Sequence, residues 1–395
     1  MGTPLAVMLV LVAILLGFGF AFDDGGEAAS APSADIPAIA SRVEQLRGLR
    51  FERVPVPQTV TPEQAQREGL EDLDRSYPPA RRSADEEVLK LLGLLEPEID
   101  LREVSATIFG QGVAGYYDPR SGRLRIVEGP QTTDRVLNEI TLAHELNHAL
   151  EDQRFGLEEP TQDDDPGLAQ LALIEGTATA LMFEYAERHF SAENALGGLL
   201  SSLGQDTGDL PPFLEAQLLF PYTAGQRFVE RLYALGPDNW KVVDAALRFR
   251  PPASTEQVMH PDAYIHVQRP LRVRIAAKDV LGQGWRRIVG GTWGEWATAE
   301  LLADNAAAAG WGGDAYELWQ RGGGDCAAPC RERDAMIMRW RWDSAPDARE
   351  FEVSLRAWVS DRAAGGPAHV ALRDGQVTLV LAPSLELAER LAAEG

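Results

Sequence analysis

Two histidines four residues apart enclose a glutamate in His144-Glu145-Leu146-Asn147-His148. Around them Val136, Ile140, Leu142, Ala143, Leu146, Ala149 and Leu150 recur with helical period. With His144 set at zero on a wheel of 100° per residue, these apolar residues fill an arc from about 140° to 320°. His148 falls at about 40° and Glu145 at about 100°. Two imidazoles one turn apart, at the border of a buried face, can each bring a nitrogen to about 2.0–2.1 Å from one zinc ion. The carboxyl beside them lies outside the pair, where a general base toward water would stand. The bland alternative is a pair of solvated histidines on an amphipathic helix. A third ligand separates the two readings, because catalytic zinc takes three protein ligands.

Glu175 is the candidate third ligand. From Pro166 to Phe183 the chain reads PGLAQLALIEGTATALMF, in which Glu175 is the only charge. A lone carboxylate in so apolar a helix is costly to bury without a metal or a strong hydrogen-bond partner. Gly176, Ala178 and Ala180 leave room for a second helix to pack closely, and Asp165-Pro166 suits a helix start. His189 lies 14 residues beyond Glu175, about 21 Å along an ideal helix, too far to share the ion. Asp152, at about 80° on the wheel, is on the histidine side and could orient an imidazole or simply end the helix in solvent. The run Asp163-Asp164-Asp165 reads more simply as capping and solvation than as a calcium loop.

The elements that must position these groups are legible in outline. Helical patterns run over 133–154 and 166–190, joined by the polar stretch GLEEPTQDDD. Before them, VSATIFGQGVAGYYDPRSGRLRIVEG holds two β-rich runs around Asp118-Pro119-Arg120-Ser121-Gly122, a hairpin signal. Residues 39–100 read as helical, with Thr61-Pro62-Glu63 as one helix start, and form either a covering lobe or a propeptide. A further helical region covers about 213–248. The last 115 residues carry eight of the nine tryptophans. They predict a strand at AMIMRWRWD, a helix at DAREFEVSLRAWVSD, a hairpin at HVALRDGQVTLVLA and a helix at SLELAERLAA, with tryptophans as core pieces.

His-Glu-x-x-His on one helix, followed by Glu-Gly-x-Ala on the next, resembles the gluzincin group of zincin-type zinc metallopeptidases, the thermolysin-like clan. More narrowly, GYYDPRSGRLRIV, HELNHALEDQ, ALIEGTA and PPASTEQVMHPDAY look like a bacterial extracytoplasmic family of zinc metallopeptidases. The resemblance implies a zincin-like α+β fold: a small sheet and hairpin, the active-site helix, the ligand helix, a helical part and a small α+β C-terminal subdomain. It implies Zn2+ held by His144, His148 and Glu175, with Glu145 as base. It also implies an edge strand whose backbone pairs with an extended peptide or protein substrate. Two departures stand out. The gap between His148 and Glu175 exceeds that of the thermolysin pattern, and no motif places the group that stabilises the oxyanion. His260 and Tyr264, in Met259-His260-Pro261-Asp262-Ala263-Tyr264, are the candidates for that role; a loop packed on the core is the competing account.

Pro4 to Phe22 is a run of 19 uncharged residues followed by Asp23 and Asp24. At 1.5 Å per residue it spans roughly 28 Å, so it reads as a membrane anchor or a cleaved secretion signal, with the body outside the cytoplasm either way. Cys326 and Cys330, the only cysteines, are spaced for a local disulfide, which suits an oxidising compartment. A net charge of −23 over 395 residues argues against nucleic acid as a partner. The expected organisation is therefore a leader or anchor over 1–22, a spacer over 23–38, a helical region over 39–100, a metallopeptidase domain over 101–320 and an α+β subdomain over 321–395. The expected function is zinc-dependent peptide hydrolysis. The alternative is a catalytically silent zincin-fold protein that binds or chaperones partners in the cell envelope.

Overall fold

The computed structural model describes residues 11–13, 35–111, 113–128, 135–157, 161, 163–191, 210–236, 239–323, 326–361 and 365–394. The apolar run from Pro4 to Phe22 and the spacer after it lie outside the described residues, apart from a short strand, β1 (Leu11–Ala13), and the start of the first helix. Among the described residues no helix is long and apolar enough to cross a membrane.

Local chemistry sets the N-terminal helices. Asp35 caps α1 (Ile36–Arg47) by accepting from the Ala38 N–H, and Gly48 ends it in a left-handed turn. After β2 (Gln58–Val60), the Thr61 hydroxyl caps α2 (Pro62–Ser76), as its sequence predicts. Helices α3 (Pro79–Leu92) and α4 (Leu101–Gln111) follow. Then comes the predicted hairpin, β3 (Gly115–Asp118) and β4 (Arg123–Val127), turned at Gly122 with φ of 65°. Both carboxylate oxygens of Asp118 accept hydrogen bonds within that turn, from the Arg120 N–H and the Ser121 hydroxyl. The sheet order is β1-β3-β4-β2, with β2 parallel to β4 and the other pairs antiparallel.

Four helices build the next layer: α5 (Arg135–Phe155), α6 (Asp164–His189), α7 (Pro212–Tyr233) and α8 (Asn239–Phe249). Short helices α9 (Thr255–Met259), α10 (Pro261–Ile265) and α11 (Ala277–Leu281) lead to the C-terminal part. There β5 (Trp285–Gly291), α12 (Glu295–Leu302), α13 (Asn305–Ala308), β6 (Trp311–Arg321), β7 (Asp334–Trp342), α14 (Ala345–Asp361), β8 (Ala368–Arg373), β9 (Gln376–Leu381) and α15 (Leu385–Glu394) form an antiparallel sheet with flanking helices. Its order is β5-β6-β7-β9-β8. Alternate residues of β7 serve opposite faces, as the pleat requires. Met336, Met338 and Trp340 join the main core with Phe351 of α14, while Ala335 and Ile337 pack with Ala388 and Leu391 of α15. The chain is thus mixed α+β, and the elements expected near the C-terminus are all present.

Two expectations need correction. The α+β unit expected from residue 321 begins at Trp285, because β6 is hydrogen-bonded to β5 on one side and β7 on the other. The aspartate run is no solvated cap. Asp163 accepts from the Thr292 N–H, Asp164 from Arg81 and the Tyr316 hydroxyl, and Asp165 from the N–H and hydroxyl of Thr255. Each carboxylate therefore ties the start of α6 to a different element, and Asp165 is 2% exposed. One buried cluster runs from Ile39 and Val43 of α1 through Leu146 of α5, Leu181 of α6 and Phe228 of α7 to Trp311 and Trp340, so the two ends of the chain share a core. Six of the tryptophans near the C-terminus are buried in it or beside it, as core pieces.

Candidate metal centre

Helix α5 carries the two histidines on the side that meets α6, and α6 carries Glu175 opposite them. All three are buried, at 1%, 0% and 1% exposure. His144 Nε2 lies 3.0 Å from His148 Nε2, and Glu175 Oε2 lies 3.3 Å and 3.4 Å from the two nitrogens. The imidazole–carboxylate distances are too long for good hydrogen bonds, and neither oxygen of Glu175 accepts one among the described residues. Ligand atoms about 2.0–2.1 Å from a tetrahedral ion stand about 3.3–3.4 Å apart, which the two imidazole–carboxylate sides match, while the 3.0 Å between the imidazole nitrogens is also hydrogen-bond distance. Among the described residues it is the group of three or more metal-ligating side chains whose donor atoms converge. Burial drives the Glu175 carboxyl upward, but the imidazoles of His148 and His144 outweigh it and hold the group below its ordinary value.

The rings are fixed by packing. Their planes meet edge to face at 79° with centroids 4.7 Å apart, and Tyr222 of α7 stacks on His144 at 6.4 Å and 29°. Neither Nδ1 has a hydrogen-bond partner among the described residues. Glu145 is fully buried and stays outside the triangle, on the side of β3: a Cβ built at Gly115 would sit 3.7 Å from Glu145 Cγ. The hairpin is not the edge strand expected: β1 pairs with β3 and β2 with β4, so both of its outer sides are occupied. Asp152 accepts from the Tyr117 hydroxyl of β3 and from the Leu157 N–H, so it holds the hairpin to α5 and orients no imidazole.

The structure brings His144, Glu145, His148 and Glu175 together, but it does not bring His260 or Tyr264 to them. The Tyr264 hydroxyl donates to the Arg250 carbonyl at 2.7 Å, its ring packs edge-on against Phe228, and the Arg250 guanidinium lies over it, 4.2 Å from the ring centroid. His260 Nε2 pairs with the buried Glu295 at 2.9 Å. That hydrogen bond raises the imidazole's pKa above its ordinary value, against the opposing effect of burial. The packed-loop account of this stretch is the one the contacts support.

Two groups of residues escaped the sequence reading. Tyr222 sits in LLFPYTAG, where nothing marks it as a neighbour of His144, some 78 positions away in sequence by the difference 222 − 144. The second is a polar set behind the histidines. Arg47 donates from Nε to Asn147 Oδ1 at 3.0 Å and through its second terminal nitrogen to Glu151 Oε1 and Asp244 Oδ1, each at 2.8 Å. Glu151 Oε2 accepts from the Thr177 hydroxyl at 2.8 Å. The available signal was on the wheel, where Asn147 and Glu151 fall at about 300° and 340°, beside the imidazoles.

Comparison with known proteins adds one finding for the C-terminal part. Residues 286–392 match a family described as a domain of unknown function, DUF8575, which coincides with the sheet from β5 onward and its helices. No curated protein and no solved structure matches the chain.

Proposed function

We propose that this chain is an extracytoplasmic zinc-dependent metallohydrolase of zincin-like fold, acting on peptide bonds. The observation that carries the reading is the buried triangle of His144, His148 and Glu175, with the Glu145 carboxyl next to it. Two imidazole nitrogens and one carboxylate oxygen form a donor set suited to zinc, and three protein ligands are the number found in catalytic sites. Such an ion, when bound, supplies Lewis acidity toward a carbonyl oxygen and lowers the pKa of water. Glu145 takes the proton of the attacking water and returns it to the leaving amine. The order hairpin, histidine helix, glutamate helix supports the zincin assignment. The Cys326–Cys330 disulfide supports a compartment outside the cytoplasm, to which residues 1–22 would bring the chain as anchor or signal.

The test measures metal content, thermal melting and cleavage of a peptide library on the same preparations. The wild-type chain should hold about one zinc ion, and His148→Ala should lose it. Glu145→Gln should keep the ion and the fold while hydrolysis drops by at least about 100-fold. Zinc retained by His148→Ala would remove the ligand set. Wild-type cleavage by Glu145→Gln would remove the base. Zinc present without cleavage of any peptide would favour a silent, partner-binding zincin fold.

A further inference from the structure

We infer that Arg47 is a positioning residue of the metal centre: its guanidinium sets the register between the helix carrying the histidines and the helix carrying Glu175. Helix α1 is then a working part of the site and no removable propeptide. This inference rests on the metal reading proposed above.

The argument starts from depth. The side chains of Arg47 and Glu151 are completely buried, and Asp244 is 19% exposed. An ion pair this deep is weak evidence for stability, since the desolvation of each charge offsets the attraction. Its geometry is more informative. The guanidinium fork binds two residues one turn apart on α5, Asn147 and Glu151, which flank the row of His144 and His148. Its face lies on the Trp240 indole of α8, 4.0 Å from the ring centroid. The other oxygen of Glu151 reaches across to the hydroxyl of Thr177, two residues beyond Glu175.

A continuous polar chain therefore runs from α1 to α5 to α6 immediately behind the three ligand atoms. Sliding α6 along α5 would strain the Glu151–Thr177 bond together with the triangle. Rotating α5 would pull Asn147 and Glu151 off the fork together. The imidazoles have no Nδ1 partners among the described residues, so beside the packing of their rings it is the placement of their helix, held by this polar chain, that positions them. Groups that hold ligands in place in this way typically change metal affinity by about 10–100-fold when altered.

The experiment uses the full chain stripped with a chelator and titrated with Co2+, whose visible absorption band reports ligand geometry. Two variants probe opposite ends of the polar chain. Arg47→Lys keeps the buried charge but has no planar fork to serve Asn147 and Glu151 at once. Thr177→Val is neutral and close in shape; it cuts the last link together with the hydroxyl's local bond to the Ile174 carbonyl. Both should melt cooperatively, bind Co2+ about 10–100-fold more weakly than wild type, and show a shifted or weakened band. Wild-type affinity and an unchanged band in both variants, whatever happens to their melting temperatures, would overturn the positioning role. If Arg47→Lys does not fold, Thr177→Val decides alone. A wild-type chain that takes up no Co2+ would overturn the metal reading, and the positioning role would fall with it.

Discussion

Tyr264 shows how a residue's chemistry is decided by what it already touches. Its hydroxyl is committed to the Arg250 carbonyl, and its ring is held between Phe228 and the Arg250 guanidinium. Replacing it with phenylalanine keeps the ring packing and removes one buried hydrogen bond. Tyr264→Phe should therefore cost roughly 0.5–1.5 kcal/mol in a denaturant melt and leave any peptide hydrolysis within about twofold of wild type. A donor to an oxyanion would instead cost about 10²–10³ in turnover, so a loss of that size with the fold intact would return Tyr264 to the mechanism. His144, Glu145 and His148 were legible because one helix turn fixes their geometry from spacing alone. Glu175 was legible because a single charge in an apolar helix demands a partner. Tyr222 and Arg47 reach the site through tertiary packing, and no local spacing records that.

Helix α6 carries a prediction at the scale of elements. The small residues after Glu175 point to a close helix approach, and the partner in the structure is α7. A Cβ at Gly176 would meet the Gly225 backbone at 2.4 Å, and one at Gly225 would meet the Ala172 carbonyl oxygen at 2.0 Å. Both obstacles are backbone, so no rotamer change relieves them. Gly225→Ala must push the two helices apart, at a cost of about 1–3 kcal/mol or more, and with them the helix that holds Glu175. Lower melting temperature together with weaker metal binding is the expected result. Gly236→Ala, whose Cβ would make an ordinary contact with Val242 at 3.5 Å, is the control and should change neither. Gly225→Ala with wild-type stability would mean that the helices do not meet at these glycines. Most elements could be read from period and turn residues, including the whole succession from β7 to α15. Their partners could not. Small residues announce a close contact without naming the other helix, and β5, with Gly290 and Gly291 in its sequence, gave little strand signal before its pairing with β6 was seen.

The whole molecule is acidic inside as well as outside, and that combination fixes the sign of its pH dependence. Burial pushes the Glu256 carboxyl from an ordinary 4.5 to about 7, with Glu295 and Asp343 adding to it. Burial likewise raises Asp314 from 3.8 to about 6, although the N–H groups of Trp293, Gly294 and Trp311 pull it back. Asp165 and Asp85 are pushed well above the carboxylate range, again chiefly by burial. In the unfolded chain these groups lose their protons near their ordinary values, while the folded chain still holds them. The folded state then binds more protons, and stability falls as pH rises. The contribution is complete below the ordinary values and disappears through about pH 6–7 for Asp314 and Glu256. His260, raised by its bond to Glu295, acts in the same direction. Glu68 and Glu175 are held low and act oppositely below their ordinary 4.5, outside this window, while His189, held low chiefly by burial, opposes the fall within it. The net charge of −23 adds self-repulsion as the last protons leave. The metal-stripped chain should therefore melt at least about 5 °C lower at pH 8 than at pH 5, with chelator present throughout so that metal affinity does not enter. Glu256→Gln keeps an acceptor for Gln268 and removes the ionisable group, so it should flatten part of the fall. A melting temperature that stays level or climbs across that range would show that the buried carboxyls ionise freely in the folded chain, and the account of an acid interior would be lost.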